Sequence, residues 1–126
     1  VNFVDDIIGT KAKQAIKEQK KNEIVFLQNL RFAVGETKNR SKFAKALSKF
    51  ADLYVNDAFA VCHRAHASVS AIKKYLPSYA GLLLEEELTN LNHILHPAKP
   101  FVVIMGGAKI ETKLPLLKKF TKTANK

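Results

Sequence analysis

Residues 53–68 read LYVNDAFAVCHRAHAS, and this stretch decides which fold class the sequence predicts. Its apolar beginning, with Tyr54 and Val55, ends at Asn56, and polar and cationic side chains then follow as far as His66. A short apolar run without polar alternation indicates a strand that is covered on both faces, as in a parallel sheet. Parallel α/β sheets bind ligands just beyond the carboxyl ends of their strands. The stretch therefore predicts a buried strand that leads into one wall of a binding site.

Three other apolar runs have the same character, and helical patterns lie between the runs. The runs are VNFV at 1–4, IVFLQNL at 24–30 and FVVIM at 101–105. Apolar spacing, caps and Pro77 predict helices at residues 10–19, 41–50, 68–76 and 81–96, with a last helix after Gly107. Strands that alternate with helices predict an α/β protein with a parallel sheet.

Composition limits the class of protein. The chain has 126 residues, 47% of them hydrophobic and 25% charged, which is enough for one modest core. The single Cys62 excludes an internal disulfide. No signal-peptide pattern is visible, and no apolar run approaches the roughly 20 residues that cross a bilayer. We therefore expect a soluble cytoplasmic protein without a membrane segment.

The charge balance is strongly basic, with 21 Lys and Arg against 11 Asp and Glu, a net charge of +10. Such a balance favours an anionic partner, either nucleic acid or phosphorylated metabolites. The lysines are scattered through helical segments, and no aromatic side chains interleave with them as a base-stacking surface requires. We expect no nucleic-acid partner, although a basic nucleic-acid binder remains an alternative hypothesis.

Cationic side chains follow three of the predicted strands. Arg31 follows the second strand, Arg64 the third and Lys109 the fourth, while Asp5 and Asp6 follow the first. In a parallel sheet all of these groups point to one edge, so the three cations are expected to surround one crevice that suits a phosphorylated ligand. The alternative for a lone arginine after a strand is an ordinary surface position.

The GGAK sequence at 106–109 offers a second phosphate-binding feature. Two glycines allow the backbone to approach a ligand closely, and the helix after them presents free N–H groups to an anion. The spacing is not that of a P-loop, so a plain strand-to-helix turn is the alternative.

The remaining chemically active side chains have simpler interpretations. His63 and His66 have a spacing that suits a metal ion, but no third ligand is near, so a capping or hydrogen-bonding role is favoured and no metal site is expected. His93 and His96 share that spacing near a predicted helix end, where imidazolium is favourable. Cys62 is expected to be a small buried apolar group.

Taken together, these segments resemble the phosphoglycerate kinases. LQNLRF at 27–32, YVNDAF at 54–59, HRAHAS at 63–68, AGLLLEEEL at 80–88 and PFVVIMGGAK at 100–109 appear in the order and at about the spacings of that family. The resemblance covers essentially the whole chain and implies a parallel sheet of the Rossmann-like, three-layer type, incomplete here. It implies part of the phosphoglycerate-binding domain at 1–80, the interdomain helix at 81–97, and the first strand, loop and helix of the nucleotide domain at 98–126.

The resemblance also implies an activity, which is phosphoryl transfer between ATP and 3-phosphoglycerate in glycolysis, or in reverse from 1,3-bisphosphoglycerate. By similarity Lys109 is the catalytic residue. The implied substrate-binding residues are Leu30, Arg31, His63 and Arg64, and the implied nucleotide-binding residues are Gly107, Ala108, Lys109 and Lys113. Mg-ATP or Mg-ADP enters as a substrate, and most of its site is expected outside this chain.

Two departures from the family pattern and two gaps limit what the chain is expected to do. Ala60 stands where the family usually has Gly, and Thr112 stands where an acidic residue is common. The family's opening segment and most of its nucleotide domain are not in the sequence, so we expect an internal piece that is inactive alone and self-associates. The full-length protein is expected to be a monomer. The alternative is a non-catalytic anion-binding or scaffold remnant.

Overall fold

The computed structural model describes residues 1–107 and 110–125, and the chain divides into two compact units, Val1–Glu87 and Leu88–Lys126. The elements of the first unit are β1 (Asn2–Val4), α1 (Thr10–Lys17), β2 (Val25–Leu27), α2 (Val34–Thr37), α3 (Ser41–Leu47), β3 (Tyr54–Asn56) and β4 (Ser78–Ala80). Helix α4 (Leu82–Leu95) begins in the first unit, and α5 (Ile110–Phe120) belongs to the second. Short 3₁₀ helices lie at Leu30–Phe32, Ser48–Phe50, Phe59–Val61 and Ala71–Lys74.

The strands pair in parallel, as the continuous apolar runs predict. Strand β1 pairs with β2, with Phe3 opposite Phe26, and β3 pairs with β4, with Val55 opposite Tyr79. The described residues therefore form two separate two-stranded sheets instead of the single array that we expected. Sheets of the doubly wound type are built out of sequence order, so strands that follow each other along the chain need not be neighbours.

Three local predictions differ from the structure. The expected helix at 68–76 is reduced to the 3₁₀ helix at Ala71–Lys74, because Pro77 disfavours helical geometry just before it and a side chain from α2 holds the preceding loop. Strand β4 was not predicted, since Ser78–Ala80 is not an apolar run. The FVVIM run has no regular secondary structure, because no strand among the described residues pairs with it.

The core of the first unit lies between α3 and the segment at 67–72. Phe43 and Ala44 of α3 pack against Ala67 and Ala71, and this cluster is surrounded by partly buried side chains: Ile7, Ile8, Ala33 and Leu47. Three of the four central residues are alanines around one aromatic ring, which allows the backbones to approach closely but buries little apolar area. Large apolar side chains on the strands consequently remain exposed, including Phe3 at 57% and Phe26 at 62%.

The second unit is held together by contacts between Phe101 and the last described part of the chain. The Phe101 and Phe120 rings meet edge to face with 5.9 Å between centroids. The Asn125 side-chain oxygen accepts from the Phe101 N–H at 3.0 Å, and the Asn125 N–H donates to the Phe101 carbonyl at 2.8 Å. These bonds hold the FVVIM run beside α5. Among the described helices, none combines the length and apolarity that a bilayer crossing demands.

Candidate functional site

Arg31 stands on a short 3₁₀ helix that follows the carboxyl end of β2. The Asn29 side-chain oxygen accepts from the Arg31 N–H at 3.0 Å, and Gln28 donates to the Asp5 carboxylate at 2.8 Å. These bonds tie the loop after β2 to the loop after β1. Leu30 is half-buried beneath the turn, while Arg31 is exposed. The backbone at Arg31 is thus fixed while its side chain is directed to solvent.

Arg64 lies in the loop that follows β3. The Arg64 N–H donates to the Val61 carbonyl at 2.9 Å, which closes the turn after the 3₁₀ helix at Phe59–Val61. Both His63 and Arg64 are exposed. Within the described part of the chain, the guanidinium groups of Arg31 and Arg64 form no salt bridge and no hydrogen bond. Both arginines are therefore free to bind an anion.

Asp6 does not point to a ligand edge, contrary to the expectation for a polar residue after β1. Its Oδ1 accepts from the Ile7 and Gly9 N–H groups at 2.7 and 3.1 Å, and its Oδ2 accepts from the Ala12 N–H at 3.1 Å. The Ala12 N–H above all, with those of Ile7 and Gly9, holds the pKa of the Asp6 carboxyl below its usual value, against an opposing effect of desolvation. Asp6 is a cap for the first turn of α1.

Asp57 has the corresponding role for α4. Its Oδ1 accepts from the Leu84 N–H at 3.0 Å, and the neighbouring Asn56 carbonyl accepts from the Gly81 N–H at 2.8 Å. The carboxylate of a strand-end residue therefore caps a helix that begins 25 residues later. A side chain at Gly81 would collide with the Asp57 carboxylate, which explains why glycine stands there. Sequence reasoning missed this pairing, because no local pattern connects the two segments.

Glu36 in α2 is the buried charged residue that sequence reasoning also missed. Its side chain is only 2% exposed. Its Oε2 accepts from the Ser68 N–H at 2.9 Å, and its Oε1 accepts from the Ser68 hydroxyl at 2.6 Å. The Nδ1 atom of His66 lies 3.6 Å from Oε1. The residues around Glu36 in this short helix form no pattern that predicts its burial.

The histidines and the cysteine do not form a reactive cluster. The His66 side chain lies 3.6 Å from the Glu36 carboxylate, so the predicted hydrogen-bonding role stays a prediction, and no group of three His, Cys, Asp or Glu side chains in the described ranges can hold a metal ion. Cys62 is exposed, so the prediction of a buried cysteine is wrong. Its Sγ accepts from the Asn56 amide at 3.2 Å and donates to the Ala58 carbonyl at 3.4 Å, polar contacts that hold it at the surface. Burial raises the pKa of Tyr54 nearby in the sequence, with smaller electrostatic effects of Cys62 and Glu36.

The glycine-rich loop of the second unit is described as far as Gly107. Gly107 has a φ of +122°, a conformation that only glycine adopts without strain. The Lys113 ammonium donates to the Gly106 carbonyl at 2.6 Å, and a Cβ atom at Gly107 would collide with that ammonium. Gly106, Gly107 and Lys113 thus line one cavity of about 130 Å³, together with Met105, Leu114 and Leu117. Ala108 and Lys109 lie outside the described residues.

Comparison with known proteins decides the family. The sequence profile described as phosphoglycerate kinase matches residues 1–126, the whole chain. The chain belongs to the phosphoglycerate kinase family. The phosphoglycerate kinase of Wolbachia sp. subsp. Drosophila simulans is 48% identical over 122 residues, and that of Campylobacter lari is 50% identical over 121 residues. These alignments cover 96% and 93% of this chain, but 31% and 30% of the relatives.

The solved structures agree with this membership. The phosphoglycerate kinase structure from Coxiella burnetii superposes with a TM-score of 0.80 at 30% sequence identity, covering 99% of this chain and 31% of that one. The short parallel sheets with their helices are thus an incomplete α/β fold of the Rossmann-like type, as predicted. The chain spans about a third of the length of the phosphoglycerate kinases that it matches.

The structure places the expected site residues in two groups. Arg31 and Arg64, with Leu30 and His63, belong to the first unit, where each pair follows the carboxyl end of a strand. Gly107 and Lys113 belong to the second unit, where they share one cavity. The expected crevice that also includes Lys109 stays a prediction, because that residue lies outside the described ranges.

Proposed function

We propose that the protein containing this chain is a phosphoglycerate kinase, a cytoplasmic phosphotransferase of glycolysis that works between ATP and 3-phosphoglycerate. In this proposal residues 1–80 belong to the acceptor-binding domain. Residues 81–97 form the interdomain helix, and residues 98–126 begin the nucleotide domain. Membership of the family over the whole chain supports the activity. The chain corresponds to about a third of the relatives, so we propose that it is inactive alone.

The single observation that carries the acceptor-binding role is the state of the two arginines. Arg31 and Arg64 are exposed, their backbones are fixed by hydrogen bonds, and neither forms an ion pair among the described residues. A phosphorylated carboxylate such as 3-phosphoglycerate offers oxygens that match guanidinium groups. Leu30 and His63, the immediate neighbours, complete the proposed contacts. The roles of Arg31 and Arg64 are to bind and orient the acceptor for in-line attack.

On the nucleotide side, the proposal assigns Gly107, Ala108, Lys109 and Lys113 to contacts with ATP or ADP. The positive φ at Gly107 requires glycine there, which keeps the loop free of a side chain that would block a close approach of phosphate. Lys113 already has its ammonium at the Gly106 carbonyl and needs only to rotate toward an anion. Lys109 would stabilise the charge of the phosphoryl group during transfer. Magnesium accompanies the nucleotide, and the described residues do not themselves form a metal site.

The test uses the product of the complete open reading frame. We expect ATP-dependent phosphorylation of 3-phosphoglycerate in a coupled assay, with Arg31→Ala and Arg64→Ala each weakening acceptor binding. A charge-assisted hydrogen bond contributes about 1.5–3 kcal/mol, so each substitution should weaken binding roughly 10- to 150-fold. Arg40→Ala is the matched control, because Arg40 is exposed and its side chain forms no hydrogen bond or ion pair with the described residues. The absence of phosphoryl transfer by the complete protein would exclude the kinase function and favour the scaffold alternative.

A further inference from the structure

We propose that Glu36 is a positioning residue that holds the two arginine-bearing loops in one fixed arrangement, so that Arg31 and Arg64 act together on a single phosphorylated acceptor. The inference rests on the proposed function. It adds to the proposed site a residue that contacts neither the phosphoglycerate nor the nucleotide. It starts from an unusual feature of the core, a carboxylate that is almost fully buried and that forms no ion pair with a lysine or arginine among the described residues.

Two consecutive hydrogen bonds connect Leu30, in the turn that bears Arg31, to Glu36. The Ala33 N–H donates to the Leu30 carbonyl at 3.0 Å, and the Glu36 N–H donates to the Ala33 carbonyl at 3.0 Å. The 3₁₀ helix that bears Arg31 therefore runs directly into α2. Any displacement of Glu36 is transmitted to the Arg31 backbone through two successive turns.

A second series connects Glu36 to the loop after Arg64. The Glu36 carbonyl accepts from the Ala67 N–H at 2.9 Å, while its carboxylate accepts from both the N–H and the hydroxyl of Ser68. His66, two residues after Arg64, lies against the same carboxylate. The Ser70 N–H donates to the His66 carbonyl at 2.7 Å and closes this loop. Main chain and side chain of one residue thus hold the segment that follows Arg64.

The chemistry of the network explains why a carboxylate is suited to this position. Burial of a charge is unfavourable, so an apolar residue of the same size would serve a purely space-filling role better. A carboxylate has two oxygens that accept several hydrogen bonds in different directions, and a buried network with every member satisfied specifies one arrangement. No buried side-chain polar atom among the described residues lacks a partner, so this network is fully satisfied.

The experiment compares Glu36→Leu, which removes both acceptors but fills the space, with Glu36→Gln, which keeps one acceptor and can donate to the Ser68 hydroxyl. Both are made in the complete protein, with Glu86→Gln on the exposed face of α4 as the matched control. We expect Glu36→Leu to weaken 3-phosphoglycerate binding at least tenfold, and Glu36→Gln and Glu86→Gln to stay within about threefold of the wild type. Equal losses in the Leu and Gln variants would show that charge alone matters, and would overturn the bracing role.

The energetic coupling between Arg31 and Arg64 gives a second measurement. A purely structural role of Glu36 would leave this coupling unchanged. In the wild type, Arg31→Ala and Arg64→Ala should be non-additive in acceptor affinity, because both side chains bind one ligand. In the Glu36→Leu background the two effects should become additive within error. Persistence of the full coupling in that background would overturn the proposal.

Hydrogen exchange separates failure of this inference from failure of the proposed function. Amides of residues 30–33 and 62–68 should exchange faster together in Glu36→Leu than in the wild type, whether or not the protein binds 3-phosphoglycerate. Unchanged exchange in either segment overturns the bracing role. If exchange responds as expected but the wild type binds no phosphoglycerate, the bracing of the loops stands and the kinase function fails. Thermal unfolding of each variant shows that the comparison is made on folded protein.

Discussion

The contact between Asp57 and the start of α4 gives the sharpest test of the fold. Two different substitutions break the same hydrogen bond, so their effects on the free energy of unfolding should not add. Asp57→Ala removes the acceptor for the Leu84 N–H, and loss of a helix-capping oxygen costs about 1 kcal/mol, within a range of roughly 0.5–2. Gly81→Ala puts a Cβ atom where the Asp57 carboxylate lies, so it must displace that carboxylate and lose the same hydrogen bond.

The two effects should not add. In the Asp57→Ala background the cap is already lost, so Gly81→Ala can no longer break it. The Cβ atom that remains at residue 57 still lies 2.5 Å from the position of a Cβ atom at residue 81, so the steric part of the cost persists. We therefore expect Gly81→Ala to cost about 1 kcal/mol more in the wild type than in the Asp57→Ala background. The coupling energy is then about 1 kcal/mol, within the usual range for residues in contact.

The assay is urea unfolding followed by circular dichroism, with thermal unfolding as a second measure. At this chain length 1 kcal/mol corresponds to roughly 3–5 °C in Tm. Asp57→Asn is the matched control, because the amide keeps an oxygen that can accept from the Leu84 N–H, and it should remain close to the wild type. An equal cost of Gly81→Ala in both backgrounds would refute the contact as we describe it.

Three further outcomes follow from the same structure. The folded state lowers the pKa of Asp6 below its unfolded value of 3.8. The contribution of Asp6 to stability is therefore present above about pH 4, and it disappears as the pH falls through the folded pKa. Asp6→Asn should consequently flatten the fall in Tm between about pH 6 and pH 2. Gly107→Ala should destabilise the second unit by about 1–3 kcal/mol in urea unfolding and displace the Lys113 ammonium, and no change would contradict the positive φ. Phe3→Ser with Phe26→Ser should shift the isolated chain toward monomer in sedimentation, because we expect these exposed rings, 6.5 Å apart, to be the surface of the predicted self-association. Unchanged sedimentation would contradict that assignment.

The sequence predicts the strands that have an apolar run of their own, and it misses β4, which depends on pairing with a distant segment. Strands β1, β2 and β3 lie inside predicted apolar runs. The expected cover on both faces is wrong for the described residues, because Phe3, Phe26 and Val55 on these strands are exposed. Strand β4 consists of Ser, Tyr and Ala, and it exists only because β3 offers it hydrogen bonds across more than 20 residues. The FVVIM run shows the converse, since its composition is that of a strand but the described chain supplies no partner.

The candidate site is likewise only partly predictable from the sequence. The positions of Arg31 and Arg64 after strand ends follow from the apolar pattern alone, and their exposure agrees with it. Asp6 and Asp57 have the same signature, a polar residue within two positions of a strand end, yet their carboxylates cap helices. The distinction depends on where a backbone N–H lies in space, for Asp57 as far away in sequence as Leu84, and no residue count reveals that.

The hydrogen bonds of the nearby acidic residues explain why Arg31 and Arg64 stay available for a ligand. Asp6, Asp57 and Glu36 all lie near or between the segments that carry Arg31 and Arg64, and an ion pair with any of them would compete with a phosphorylated ligand. Each of these carboxylates instead accepts hydrogen bonds from backbone N–H groups or from a serine hydroxyl. Because backbone donors satisfy the anions, the carboxylates can order the loops while both arginines remain without an ion pair among the described residues, available for the proposed acceptor.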